Sequence, residues 1–212
     1  TNEVTKIAEE YSAAGIHELL RLTNEYGTSE NLLLYFEKIA REGLEASNHD
    51  FQPDLPFSQL EENSTTEFKS SLQWDYQNKR VNKDLAYSIL KTISAFMNSE
   101  GGQLIIGIDD NKEILGLDKD LSTLKKKDLD GFRLRIFELV NNHIGKEHSH
   151  LVTLNFHNYN EFKVASIHVD KSDGPTYVTK GNDVLFYIRT GASTPPLNQK
   201  EALEYIRKHW KE

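Results

Sequence analysis

The feature that most constrains the fold is a change of hydrophobic periodicity near residue 64. Before it, apolar residues recur at steps of three and four over residues 2–27 and 28–47, which is typical of amphipathic helices. After it, alternating stretches such as KVASIHV (163–169) indicate strands, interspersed with further helical stretches. This order predicts an α+β fold with a mixed, largely antiparallel sheet and flanking helices, preceded by an N-terminal α-helical hairpin.

Charge divides the chain at the same place. Residues 1–61 carry 4 basic and 12 acidic side chains, so this segment alone accounts for the net charge of −8. We therefore predict an acidic helical hairpin over residues 1–50, a proline-containing linker over 51–61 and a second domain over 62–212. Because the hairpin repels phosphate, we expect it to bind a protein partner, form a homo-oligomer or cover part of a binding groove.

Composition excludes several classes of protein. The chain has no cysteine, so it forms neither disulfides nor thiolate metal sites. No apolar run approaches the roughly 18 residues that a membrane helix needs, and the opening TNEVTKIAEE is too polar for a signal peptide. We expect a cytoplasmic protein without a membrane partner.

Periodicity and turn residues predict the elements of the second domain. We expect strands where residues alternate and helices where caps precede a helical pattern. The predictions are a strand over 65–74, a helix capped by Asn82 and ended by Gly101 and Gly102, short strands at 103–109 and 113–117, one helix over 121–144 weakened at Gly131, strand pairs within 150–170 and 175–191, and a closing helix capped by Asn198.

Three blocks of this domain carry a family resemblance. They are TEFKSSL (66–72), LKTISAFMNSEGGQLIIGIDDNKEILGL (90–117) and FYIRTGASTPPL (186–197). In this order they resemble the Schlafen-type AlbA-like domain, over about residues 62 to 209. In nuclease members of that family, acidic residues with a nearby lysine cleave RNA with a divalent metal ion.

The resemblance assigns residues to that chemistry. The family pattern is Glu, four residues, Glu, one residue, Lys and a later Asp, and Glu62, Glu67, Lys69 and Asp110 match it. It implies a metal-dependent endonuclease acting on tRNA-like RNA, with Mg²⁺ or Mn²⁺ held by Glu62, Glu67 and Asp110. Lys69 would steady the phosphate. Other relatives lack this set and only bind nucleic acid.

The spacing of these residues is compatible with one site. Glu67 and Lys69 are two apart, so in a strand they share a face while Phe68 points to the other. Glu62 can fold back toward them, and Asp110 closes another predicted strand. Carboxylates are the ligands that hard cations prefer, and a lysine nearby can stabilise phosphate charge.

Alternatives to this assignment remain open. Each of these charged residues alone is typical of an exposed strand face or a turn. Asp109 competes with Asp110 for the same role. Asp54, separated from Glu67 by twelve residues, also completes the loose Pro-Asp…Glu-x-Lys signature of restriction-type nucleases.

Cations outside the acidic set are candidates for nucleic-acid contacts. Lys79, Arg80 and Lys83 lie in a predicted loop that leads into a helix N-terminus, a combination that suits phosphate. Lys125–Lys127 form a further basic stretch, and Arg189 matches an arginine that recurs near the family's site. RNA is the favoured ligand and DNA an alternative. Two other classes compete with the nuclease: a non-catalytic nucleic-acid-binding domain of a regulatory or defence protein, and a protein-interaction subunit.

Overall fold

The computed structural model describes residues 61–159 and 161–210. The predicted hairpin over 1–50 and all of the predicted linker except residue 61 lie outside the described residues. The described strands are β1 Thr66–Lys69, β2 Trp74–Asp75, β3 Arg80–Val81, β4 Gly102–Ile106, β5 Val152–Tyr159, β6 Phe162–Val169, β7 Val178–Lys180, β8 Asp183–Tyr187 and β9 Pro196–Leu197. The helices are α1 Lys83–Met97, α2 Asp118–Thr123, α3 Leu129–His143 and α4 Gln199–His209, with a 3₁₀ helix over Lys146–Leu151.

A four-stranded sheet in the order β1-β4-β6-β5 forms the centre of the described chain. β1 pairs with β4 in parallel, and the other two pairings are antiparallel. This confirms the predicted α+β class with a mixed, largely antiparallel sheet. Helix α1 makes the crossover between β1 and β4, since parallel neighbours cannot be joined by a tight turn.

Helices α1 and α3 cover one face of this sheet. Asn82 caps α1 as predicted, accepting a hydrogen bond from the Asp84 amide, and the helix buries a stripe that includes Ile93 and Phe96. On α3, Phe132 packs edge-on against Phe156 of β5, with ring centroids 5.9 Å apart. Burying each such side chain contributes about 1.5–3 kcal/mol. The main core therefore lies between the sheet and these two helices.

Two long predicted elements are broken in the structure. The predicted strand 65–74 becomes β1 and β2, which belong to different sheets, and the predicted helix 121–144 becomes α2 and α3. The predicted strand 113–117 is reduced to one bridge between Ile108 and Ile114. The first two patterns are continuous in the sequence, but the chain breaks within each of them in the fold.

The buried side chain of Asn98 helps to fasten the small sheet β7-β8-β9 to α1. The Asn98 amide, at the C-cap of α1, donates to the carbonyls of Thr176 and Tyr187 at 2.8 and 2.9 Å. It also accepts from the Thr176 N–H at 2.7 Å. Helix α4, which begins with a capping box at Asn198, packs its Ala202 against Phe186 of this sheet. Asn98 therefore fixes the position of the end of β8, and so the position of the backbone that leads to Arg189.

The acidic strand edge and the basic hairpin

β1 is the edge strand of the main sheet, and the segment before it folds back along its free side. A carboxylate oxygen of Glu62 accepts a hydrogen bond from the Phe68 N–H at 2.9 Å. The Asn63 N–H donates to the Thr66 carbonyl at 3.0 Å, and the Lys69 ammonium donates to the Phe68 carbonyl at 2.9 Å. Glu62 and Lys69 thus satisfy backbone groups that an edge strand leaves open.

Glu67 lies on the opposite face from Phe68, as the strand spacing predicts, and is buried at 8% exposure. One carboxylate oxygen binds the Lys69 ammonium. The other accepts from the Arg189 guanidinium at 2.8 Å. Both oxygens of Glu67 are therefore already bound to cations.

Arg189 follows β8 and reaches across the domain to β1. Its side chain is only 1% exposed. Besides Glu67, it donates to the Thr194 hydroxyl at 2.8 Å and to the Asn63 carbonyl, and its guanidinium lies 5.1 Å from the centroid of the Phe96 ring. The predicted contact of Arg189 with phosphate would require a rearrangement that exposes this group.

The turn after β4 separates the roles of Asp109 and Asp110. Asp109 organises the turn, since its carboxylate accepts from the amides of Asn111 and Glu113 at 2.9 and 2.8 Å. Asp110 is exposed at the next position. Lys112 of the same turn forms an ion pair with Glu61 at 3.1 Å. The turn therefore lies near the segment that carries Glu62, while the Asp110 side chain is in solvent.

These placements decide whether the acids fit a metal ion. Within residues 61–159 and 161–210, no group of three or more His, Cys, Asp or Glu side chains is placed to hold one. Glu67 is bound by two cations, Glu62 holds a backbone amide, and Asp110 is exposed. In this arrangement the residues do not fit a Mg²⁺ or Mn²⁺ site, and their role as metal ligands stays a prediction.

The predicted nucleic-acid contacts lie on a short β-hairpin and the helix that follows it. β2 and β3 pair antiparallel, and Lys79 occupies the turn with a positive φ of 49°. Asp75 stabilises this turn by accepting from the Asn78 amide at 2.9 Å. Lys79, Arg80 and Lys83 are all exposed, and none forms an ion pair with an acid among the described residues. The hairpin and the start of α1 therefore present three cations to solvent.

A buried carboxylate that sequence reasoning missed positions this hairpin. Asp120 of α2 accepts from the Ser71 hydroxyl at 2.7 Å and from the amides of Leu72, Gln73 and Trp74 at 2.8 to 3.1 Å. Burial raises the pKa of Asp120, while these hydrogen bonds oppose that shift. Asp120, nearly 50 residues further along the sequence, thus stabilises the turn that follows β1. The acid in the first turn of α2 was the only available signal.

Comparison with known proteins gives the family. The sequence matches the family described as Schlafen, AlbA_2 over residues 62–198, which is more than half of the chain. No curated protein matches. No helix in the described part of the chain has the length and apolar character needed to cross a membrane.

Two solved structures resemble the fold. One is the DIP2311 protein from Corynebacterium diphtheriae, at 21% identity and a TM-score of 0.47, matched over 69% of this chain and 24% of that one. The other is the N-terminal domain of a RecG-related protein from Nitrosomonas europaea, at 16% identity and a TM-score of 0.43, matched over 63% and 82%. The match over residues 62–198 indicates a nucleic-acid-related domain, and the chain belongs to the Schlafen AlbA_2 family.

Proposed function

We propose that this chain binds nucleic acid through the basic hairpin, defined as Lys79, Arg80 and Lys83. The observation that carries the proposal is that these three exposed cations, within five residues, have no acidic partner among the described residues. Some other surface lysines do have such a partner: Lys112, Lys171 and Lys180 each pair with an acid at 3.0 to 3.2 Å. Unpaired cations are free to bind phosphate.

The geometry suits a backbone contact. Residues 77–80 of the hairpin are exposed, and Lys83 lies in the first turn of α1, where backbone N–H groups favour anions. Each phosphate that such a cation neutralises releases counterions, so binding weakens as salt rises. The hairpin therefore supplies affinity without sequence preference.

Charge-matched variants test this function. We expect replacement of Lys79, Arg80 and Lys83 by alanine to weaken binding to RNA and DNA oligonucleotides and to reduce the salt slope by about 2 to 3, since each contact contributes roughly 0.7–0.9. The control replaces Lys112, Lys171 and Lys180, which removes the same charge from paired sites. Fluorescence anisotropy over a salt series gives both slopes. Equal losses in the two variants would refute a specific hairpin contact.

The second candidate is a metal-dependent endonuclease acting on tRNA-like RNA. It is favoured by one observation: Glu62 folds back so that its carboxylate lies along the strand that carries Glu67 and Lys69. This activity requires Glu67 to release at least one of its two cationic partners. It predicts cleavage of tRNA with Mn²⁺ or Mg²⁺, inhibited by a chelator and lost in the Glu67→Ala, Asp110→Ala double variant. Cleavage of neither RNA nor DNA with either ion would exclude it.

A further inference from the structure

A cleft of about 530 Å³ lies between helix α3 and the loop that precedes it. Its helical wall is formed by Gly131, Leu134, Arg135 and Glu138, which are three or four residues apart and so share one face of α3. Residues 123–126, at the end of α2 and the start of the following loop, form the other wall, and Gln73 also lines the cleft. The volume lies in the usual range for small-ligand sites, about 300–1,000 Å³.

The fold holds this cleft in shape. A Cβ atom on Gly131 would lie 1.9 Å from the Lys126 carbonyl oxygen, so the loop rests directly on the helix at this glycine. Within the lining, the Gln73 side-chain amide donates to the Thr123 hydroxyl at 2.8 Å. Gln73 directly precedes β2, so the cleft adjoins the basic hairpin along the chain. Both walls are therefore anchored.

The lining combines an exposed leucine with three cations and one acid, Glu138. Leu134 is 59% exposed, although α3 buries its other large apolar residues wholly or in part. Lys125 is exposed and pairs with no described acid. Lys126 is held by Asp130, and Arg135 binds Glu138 at 2.8 Å while its other donors remain available. One apolar side chain is thus left beside one unpaired cation.

We infer that the cleft binds one unpaired nucleotide of a single-stranded nucleic acid, with its base on Leu134 and its phosphate at Lys125. This inference rests on the proposed nucleic-acid-binding function. A base has an apolar face that packs on a leucine side chain, and its phosphate needs a cation nearby. A base within a duplex is stacked and paired, so it would have to be unstacked and unpaired before it could enter the cleft. The cleft therefore favours single strands, whereas the hairpin does not discriminate.

Two exposed substitutions test this preference by anisotropy with a single strand and a duplex of the same sequence. Leu134→Ser should weaken single-strand binding about fivefold, because roughly 40 Å² of apolar contact is lost, and leave duplex binding unchanged. Lys125→Ala should lower the salt slope on the single strand by about 0.7. The controls on α4 are Leu203→Ser, at a leucine that is 50% exposed, and Lys208→Ala.

The outcomes separate this inference from the proposed function. If Leu134→Ser weakens both ligands equally or neither, the cleft does not bind a base, whatever the hairpin variants show. If the hairpin variant loses binding while Leu134→Ser behaves as the wild type, the proposed function stands and the inference falls. Absence of binding to any oligonucleotide would overturn both. A single-strand defect in Leu134→Ser that is absent in Leu203→Ser supports the cleft.

Discussion

Replacing Glu67 by glutamine tests whether this carboxylate is structural. Glutamine keeps the shape of the side chain but removes the charge that Lys69 and Arg189 share. Arg189 would retain Thr194 and the Asn63 carbonyl, yet its guanidinium would be an uncompensated buried charge. We therefore expect Glu67→Gln to lower the free energy of unfolding.

The size of the loss follows from the contacts. Breaking a buried ion pair by removing one partner typically costs about 3–5 kcal/mol. Lys69 is 23% exposed and can turn to solvent, and the glutamine carbonyl still accepts one hydrogen bond, so the expected loss is about 2–3 kcal/mol. If Glu67 were retained for metal binding instead, Glu67→Gln should leave the free energy of unfolding unchanged or raise it, because removing a functional charge usually does so.

Urea denaturation followed by tryptophan fluorescence measures this loss. Both tryptophans of the chain, Trp74 and Trp210, lie in the described domain, so the signal reports on its unfolding. Glu100→Gln is the matched control, since its pair with Lys171 is exposed and should change stability by about 0.5 kcal/mol or less. A Glu67→Gln protein as stable as the wild type would refute the structural role.

Three further predictions concern the rest of the domain. Gly131→Ala should destabilise by about 1–3 kcal/mol, despite alanine's better helix propensity, because its Cβ would strike the Lys126 carbonyl; thermal unfolding gives the sign. Asn98→Leu should cost about 2–4 kcal/mol in urea unfolding, since buried backbone groups such as those of Thr176 lose their partner. Burial above all, and then nearby carboxylates, raises the pKa of Tyr76 to about 12, so its contribution to stability is full below about pH 10 and is lost as the pH rises through about 12. Ultraviolet titration should show a tyrosinate transition near pH 12 that is missing in Tyr76→Phe, and its persistence there would contradict the assignment.

Local signals predicted the parts of the fold that local interactions determine. The helix caps at Asn82 and Asn198 were predictable because each cap and its backbone partner are two or three residues apart. The β5-β6 hairpin followed from alternation around a short turn. Such elements carry their own start and stop residues.

Contacts between residues that are far apart in the sequence could not be predicted from local patterns. The break after β1 depends on Asp120, and the close approach of the 123–128 loop to Gly131 turns an apparent helix-weakening residue into a packing requirement. The spacing of Glu67 and Lys69 correctly placed both on one strand, but not the arrival of Arg189 from 122 residues further on. A charge pattern cannot tell an exposed guanidinium from one that neutralises a buried acid.

The folded-back segment before β1 limits how the sheet can grow. Peptide recognition by strand addition, and the edge-to-edge pairing of two molecules' sheets, both begin at an edge whose amides and carbonyls are vacant. Here the Glu62 carboxylate, the Asn63 amide and the Lys69 ammonium occupy those groups on the outer side of β1. Glu62 and Lys69, which match the nuclease pattern, thus also block the edge of the sheet. Deleting the segment before β1 would leave this edge able to pair with a strand from another molecule.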